Sequence, residues 1–432
     1  MNTPGKGAEP VICSGNRSFP MAIIVLITDA FPYGSVTENS FISPEVEALS
    51  NAFDRVIIAP IRKIREELDV KSLPANVELS NSLLIKPSLI RKFDGLKRYL
   101  KPVLYDLKHS DSSFREVVAY SSYVGICLKN ICRLIREEKL DLENTLFYTF
   151  WFNFTTAALS LIKGAKVITR THGYDLYEDR YFISPWWRKR SLDMLAGCYT
   201  VSGAGRKYLL QRYPYYSDKI FLSKLGTPAH EGRNPDNDVD ADGSSSAPAR
   251  ELSLLGVARV SPEKGVKEQF ELIREYARNN RDKRIRYVHI GDGILMDQLR
   301  AMATEVPENL SVELKGALHN SEVHEIMRTT HFDSMILLSH SEGGCPIAIC
   351  EALSYGIPCI ATSVGGITEM LNHGGGVLLN PDPDFDSFSD AIKLIEGEPT
   401  LYRERAYQTW ECRYKAEDLR LRFAKEIRSL ID

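Results

Sequence analysis

The sequence holds eight cysteines but no C-x-x-C pair and no Cys/His spacing of a zinc site. Most of these cysteines lie in apolar runs, where a free thiol behaves as a small hydrophobe. A disulfide framework is therefore excluded, and a reducing, cytoplasmic setting is expected. No run of about 18 apolar residues occurs, so no membrane-spanning helix is expected. The first 20 residues (MNTPGKGAEPVICSGNRSFP) lack the apolar core of a secretory signal and read as a disordered leader ahead of Met21. No complete G-x-G-x-x-G is present, which withholds the dinucleotide fingerprint. With a net charge of −3, the chain carries no overall basic footprint and no nucleic-acid partner is expected.

What is present is an ordinary soluble composition, 44% apolar and 26% charged, over 432 residues. That length exceeds what one core usually supports, so two domains are expected. MAIIVLIT (residues 21–28) and DRVIIAPI (54–61) are near-continuous apolar runs, the mark of strands buried on both faces. NTLFYTFW and AKVITRTHG read as further strands, with helical patterns at 44–51, 117–138 and 154–162. After an acidic, Ser/Gly/Pro-rich stretch at 230–251 the rhythm restarts with LSLLGVAR, IRYVHIGDG, SVELKGA, SMILLSH, IPCIATS and GGVLLN. Alternating strands and helices predict an α/β architecture of two doubly wound parallel sheets. The expected divisions are a leader (1–20), an N-terminal domain (21–229), a flexible linker (230–251), a C-terminal domain (252–412) and a terminal helix (413–432).

Three motifs carry chemistry. VARVSPEKG sets Arg259 and Lys264 just beyond a strand, around Pro262 and Gly265. At the carboxyl end of a parallel strand, two cations on a Gly-assisted turn make an anion clamp. HIGDGILMDQL is a strand, a Gly291-Asp292-Gly293 turn and a helix start, a weak signal alone. SEGGCPIAICEAL (341–353) places Gly343, Gly344 and Cys345 ahead of Pro346 and an apolar helix, where backbone N–H groups favour an anion. Glu351 interrupts that apolar run, and an unpaired buried carboxylate costs several kcal/mol. Carboxylates accept from hydroxyls, so Glu351 is assigned to a ribose and Glu342 to the sugar beyond a diphosphate. The Asp-x-Asp patterns at 238–243 and 382–386 lie away from these motifs, position 249 is Ala rather than the Glu of a calcium loop, and no metal site is expected.

These residues resemble the retaining family-4 glycosyltransferases of GT-B fold, in their bacterial surface-polysaccharide branch. SEGGCPIAICEALSYGIPCIATSVGGITEML resembles the donor-binding segment and VARVSPEKG the diphosphate clamp. THGYDLYEDR (171–180) resembles the family's His-Gly-x-Asp segment, and FPYGSVTENSFISPEVEAL its first loop. The resemblance implies that His172 meets the donor sugar near the reacting carbon, that Asp175 orients its loop and that Gly34 admits the diphosphate. It also implies base recognition through backbone near Gly316, a UDP- or GDP-sugar as donor and no cofactor. It makes residues 21–229 the acceptor-binding domain and 252–412 the nucleotide-sugar domain, with the terminal helix expected to pack back on the first. One departure stands out: the family's two glutamates are usually eight positions apart, here nine, with one of Gly343 and Gly344 as the extra residue.

The charge is asymmetric: residues 1–228 hold 31 Lys/Arg against 23 Asp/Glu, a net of +8, and the remainder nets −11. Two aromatic-basic stretches, 88–108 and 180–190 (RYFISPWWRKR), lie in the positive half and suit an anionic membrane surface. The resulting expectation is a hexosyltransferase acting on a saccharide or lipid-linked saccharide, peripheral on the inner membrane face. The alternatives are a nucleotide-sugar 2-epimerase of the same fold and a non-catalytic sugar-nucleotide-binding protein.

Overall fold

The computed structural model describes residues 21–34, 36–65, 72–85, 99–178, 182–229 and 251–431. The expected leader, nearly all of the expected linker, residues 88–98 and residues 180–181 lie outside the described residues. Seven parallel strands form the first sheet: β1 (Ile23–Thr28), β2 (Arg55–Pro60), β3 (Val77–Leu79), β4 (Thr145–Thr149), β5 (Lys166–Thr171), β6 (Gly197–Thr200) and β7 (Ile220–Leu222). Their spatial order is β3-β2-β1-β4-β5-β6-β7. Six more make the second sheet: β8 (Leu252–Val257), β9 (Ile285–Ile290), β10 (Leu310–Gly316), β11 (Ser334–Leu337), β12 (Cys359–Thr362) and β13 (Gly376–Leu379). Their order, β10-β9-β8-β11-β12-β13, repeats the same winding. Both are doubly wound sheets, as the alternating pattern predicts.

The apolar runs explain the two-sided burial. In β1, Ile23, Val25 and Ile27 enter one core cluster while Ile24 and Leu26 enter another. The helix Ala416–Arg428 covers part of the second face with Phe423, Ala424 and Ile427. It is tied at its start by a parallel bridge between Thr227 and Lys415, and nearby Trp410 Nε1 donates to Thr227 Oγ1 at 3.0 Å. The last helix of the chain thus packs on the first sheet.

In doubly wound sheets ligands gather outside the carboxyl ends of the strands, where the winding reverses. Here those reversals lie between β1 and β4 and between β8 and β11. A buried polar network fixes the second one. Gln269 Nε2 donates to the Tyr287 hydroxyl (2.8 Å), which donates to His289 Nδ1 (3.0 Å), and His289 Nε2 donates to Ala258 O (3.1 Å). Gln269 Oε1 also accepts from the Leu338 amide. The ends of β8 and β11 are thereby held through one neutral imidazole.

Burial pushes His289 down to about 4. Between that value and the ordinary 6.5 the unfolded chain binds a proton that the folded chain does not, so stability falls as pH drops through this window. Between pH 7 and 5 the site is expected to lose roughly 2 kcal/mol. Urea denaturation of wild type and His289→Gln at both pH values measures it, and equal pH sensitivity in the two proteins contradicts it.

Candidate functional site

The expected site residues converge at the strand ends. Arg259 follows β8, and Lys264 closes the short turn Pro262–Lys264. Gly265 continues the turn at φ 58, where a Cβ would lie 2.1 Å from Leu338 O, so only glycine lets the clamp lie against β11. Lys264 Nζ sits 2.5 Å from Glu342 Oε1, which also accepts from Ser339 Oγ at 2.7 Å. An ammonium has three donors, so Glu342 aims Lys264 without exhausting it. Arg259 lies 3.3 Å from Glu263 and reaches across the cleft to the Tyr174 hydroxyl at 3.4 Å.

The opposing face begins at His172, immediately after β5. Its ring is only 8% exposed, neither ring nitrogen has a hydrogen-bond partner, and Nδ1 stands 4.0 Å from Asp175 Oδ2. Asp175 is a backbone organiser: its carboxylate accepts from the amides of His172 (2.6 Å) and Phe152 (2.7 Å). Burial pushes this carboxyl up, but the His172 ring and those amides outweigh it and hold it below the usual carboxylate range.

The two faces meet at glycines. A Cβ on Gly343 would lie 2.5 Å from the Cα of Gly173, and one on Gly344 would lie 2.9 Å from Val201 Cγ2. Cys345 Sγ lies 3.4 Å from Cys350 Sγ, and Pro346 caps the helix Ile347–Ser354 rather than entering its first turn. Gly316 turns at φ 69 with open space where its side chain would be. Gly34 turns at φ 83, and a Cβ there would press on the Arg65 side chain, so its local reason is packing as well as approach.

Glu351 answers the question its sequence position raises. It is buried at 6% exposure, accepts from Asn320 Nδ2 at 3.0 Å and lies 3.4 Å from His324 Nε2. Sequence reading missed both partners, and also Glu369, whose two oxygens accept from the Gly203 amide at 2.9 Å across the cleft. Glu369 was legible only as the polar residue of GGITEML. The stretch 180–190 is corrected. Trp187 is core, with Nε1 donating to Ser121 Oγ, and Arg188 is buried over the Phe152 ring at 4.0 Å. Helix amphipathicity turns them inward, leaving Lys189 and Arg190 exposed.

With this geometry in view, residues 241–409 match the family described as Glycosyl transferases group 1. That match is confined to the C-terminal part and spans 169 of the 432 residues. The putative colanic acid biosynthesis glycosyltransferase WcaL of Salmonella typhimurium is 26% identical over 35% of this chain and 37% of its own length. A phosphatidylinositol N-acetylglucosaminyltransferase component from Arabidopsis thaliana is 31% identical over 39% of this chain and 36% of its own. The chain thus spans little more than a third of these relatives. The lipopolysaccharide outer core galactosyltransferase WaaB, solved in its apo form, superposes with a TM-score of 0.65, covering 95% of this chain and 100% of WaaB at 16% identity. That likeness shows the GT-B fold. The group 1 match contains Arg259, Lys264, Glu342 and Glu351, while His172 lies outside it.

Removing Glu351 is expected to take the carboxylate from the exposed Asn320 and from the half-buried His324, which keeps the Tyr355 hydroxyl. Glu351→Ala should cost about 1–3 kcal/mol without any ligand present. Urea unfolding of the ligand-free protein measures this, and an unchanged midpoint would mean that these contacts contribute nothing to stability.

Proposed function

We propose that this protein transfers a hexose-type sugar from a nucleoside diphosphate sugar, with uridine or guanosine as base, to an acceptor hydroxyl with retention. The observation that carries the proposal is the Lys264–Glu342 pair beside Arg259, facing the unpartnered His172 ring across a glycine-lined contact. As the bond from the sugar carbon to the phosphate oxygen breaks, negative charge grows on the diphosphate. Arg259 and Lys264 are placed to stabilise it, an electrostatic contribution made before the reaction starts. The acceptor oxygen forms the new bond and loses its proton as it does so. Glu342 fixes the lysine, Glu351 offers acceptor oxygens to the ribose, and Asp175 keeps the His172 loop in register. Retention and independence of a metal follow the family resemblance, and product anomer analysis and assay in EDTA test them.

The acceptor proposed is a saccharide, lipid-linked at the cytosolic membrane face, in assembly of a bacterial surface glycan. The named colanic acid and lipopolysaccharide relatives support a glycan. The supporting surface is the helix Leu100–His109. Leu100, Leu104 and Tyr105 are exposed there beside Lys101 and Lys108, and Trp186 packs its edge on Tyr105 at 5.2 Å. Among the described residues no helix is long and apolar enough to cross a membrane. Near an anionic leaflet each cation contributes about 1 kcal/mol, and salt screens it.

Arg259→Ala and Lys264→Ala are each expected to lower kcat/KM roughly a hundredfold or more without unfolding the protein. A thermal-shift panel of nucleoside diphosphates and their sugars finds the donor first, because a ligand of the folded state raises the midpoint. Unchanged kinetics in both variants would remove the clamp. Donor converted to an isomeric sugar nucleotide without acceptor would make the protein an epimerase. For the membrane, wild type should sediment with anionic liposomes at low salt, and Leu100→Ser with Leu104→Ser should not. Wild type that ignores such liposomes points to a soluble acceptor.

A further inference from the structure

We propose that Glu38 is the positioning residue for His172, acting through the indole of Trp151. Glu38 is 1% exposed in the first turn of the helix Val36–Ala52. Its Oε1 accepts from the Asp29 amide at 2.8 Å and from Trp151 Nε1 at 2.6 Å. Its Oε2 accepts from the amides of Ala30 (2.7 Å) and Phe31 (2.8 Å). Hydrogen bonds to an ionised acceptor are the strong ones, and here four of them join three segments. The loop after β1, the helix that follows it and the loop after β4 are fixed by one carboxylate.

The link to His172 is aromatic. Trp151 and Phe150 each lie 4.6 Å from the imidazole, centroid to centroid, and 5.4 Å from one another. Neither imidazole nitrogen makes a hydrogen bond, and the carboxylate oxygen Asp175 Oδ2 stands 4.0 Å from Nδ1, too far to fix how the ring is turned. Packing sets it instead. Phe150 is anchored by burial, whereas Trp151 is half-buried and its orientation is fixed by the bond from its Nε1–H to Glu38. Losing that bond frees the indole, and the imidazole loses one of its two walls. Glu38 touches no reacting atom in this scheme. The inference rests on reading His172 as the group that faces the donor sugar, so its test must separate the two.

The experiment compares wild type with Glu38→Gln and Trp151→Phe, each labelled on histidine, by NMR without ligand. His172→Gln identifies the His172 ring signal by its disappearance. Both variants are expected to move that signal, with the signals of the remote His289 and His324 unchanged. The double variant should move it no further than the larger single, since coupled residues are not additive. Turnover is then read: kcat is expected to fall about tenfold with donor KM nearly constant, the signature of misplacement rather than lost binding. A His172 signal that stays in place in Glu38→Gln overturns the positioning role, whatever the kinetics, because Trp151→Phe also alters a ring that touches the imidazole. A signal that moves with turnover unaffected upholds the positioning and removes His172 from the chemistry. Should Glu38→Gln fail to fold, Glu38→Asp, which keeps the charge and shortens its reach to the indole, decides the matter.

Discussion

The two halves of the site come together because two backbones touch where neither residue has a side chain. Gly173 follows His172, and Gly343 follows Glu342. A Cβ added at Gly343 would overlap Gly173, at 2.5 Å from its Cα. A side chain at Gly343 forces a shift, and one at Gly173, with its Cβ 3.2 Å from the Gly343 Cα, meets a contact that is already tight. The separation of His172 from the Lys264–Glu342 pair is therefore set by a steric limit. Around that point lie further contacts of the same kind, Gly344 against Val201 and Gly203 against Glu369. The cleft is closed by close approach, with one carboxylate to amide contact at its side.

Loops at strand ends have no ladder to hold them, so something else must satisfy their backbone amides. In this protein the answer is repeatedly a buried carboxylate. Glu38 holds the loop after β1, Asp175 joins the loops after β4 and β5, and Glu369 caps the helix Gly203–Arg212 from the other lobe. Glu342 directs its acceptor capacity to Lys264 and Ser339. Burying a carboxylate is costly unless it is hydrogen-bonded, and the buried Glu38, Asp175 and Glu342 all accept such bonds, while Glu369 is only half-buried. What these bonds provide is a rigid frame for groups that approach from opposite sides.

The sequence showed the architecture well where the signal was hydrophobic. Runs such as IIVLIT and RVIIAP have to be buried on both faces, so β1 and β2 and the alternating topology were readable without a structure. It failed for β3, β6 and β7, three or four residues each, because VEL and GCYT are too short and mixed to carry a period. The turn that carries Arg259 and Lys264 and the glycine loop were readable as local motifs, whereas their partners Tyr174, Glu342 and Gly173 lie far away in sequence. Glu351 was readable as an anomaly but not as a solved one. Its partners Asn320 and His324 lie on another helix, and no spacing rule connects them. Glu38 was missed for the opposite reason. A glutamate in the first turn of a helix is ordinary, and nothing local announces that it reaches Trp151, 113 residues away. The Trp-Trp-Arg stretch misled because composition does not say which face of a helix turns inward.

The contrast between Glu351 and His172 separates two kinds of buried polar group. Both sit under 10% exposed near the cleft. Glu351 is satisfied by protein groups, so its burial is accounted for by the fold alone, and a ligand hydroxyl would have to share it. His172 has two ring nitrogens without a partner, and native proteins rarely leave such atoms unmatched without a reason. The fold supplies four donors to Glu38 and several to Asp175, yet no partner to either nitrogen of the imidazole beside them. That point lies next to the glycine contact, where the lobe carrying Arg259 and Lys264 comes nearest. Under the proposed function, a sugar hydroxyl at that point would meet the imidazole and a phosphate oxygen would meet the cations of the facing lobe.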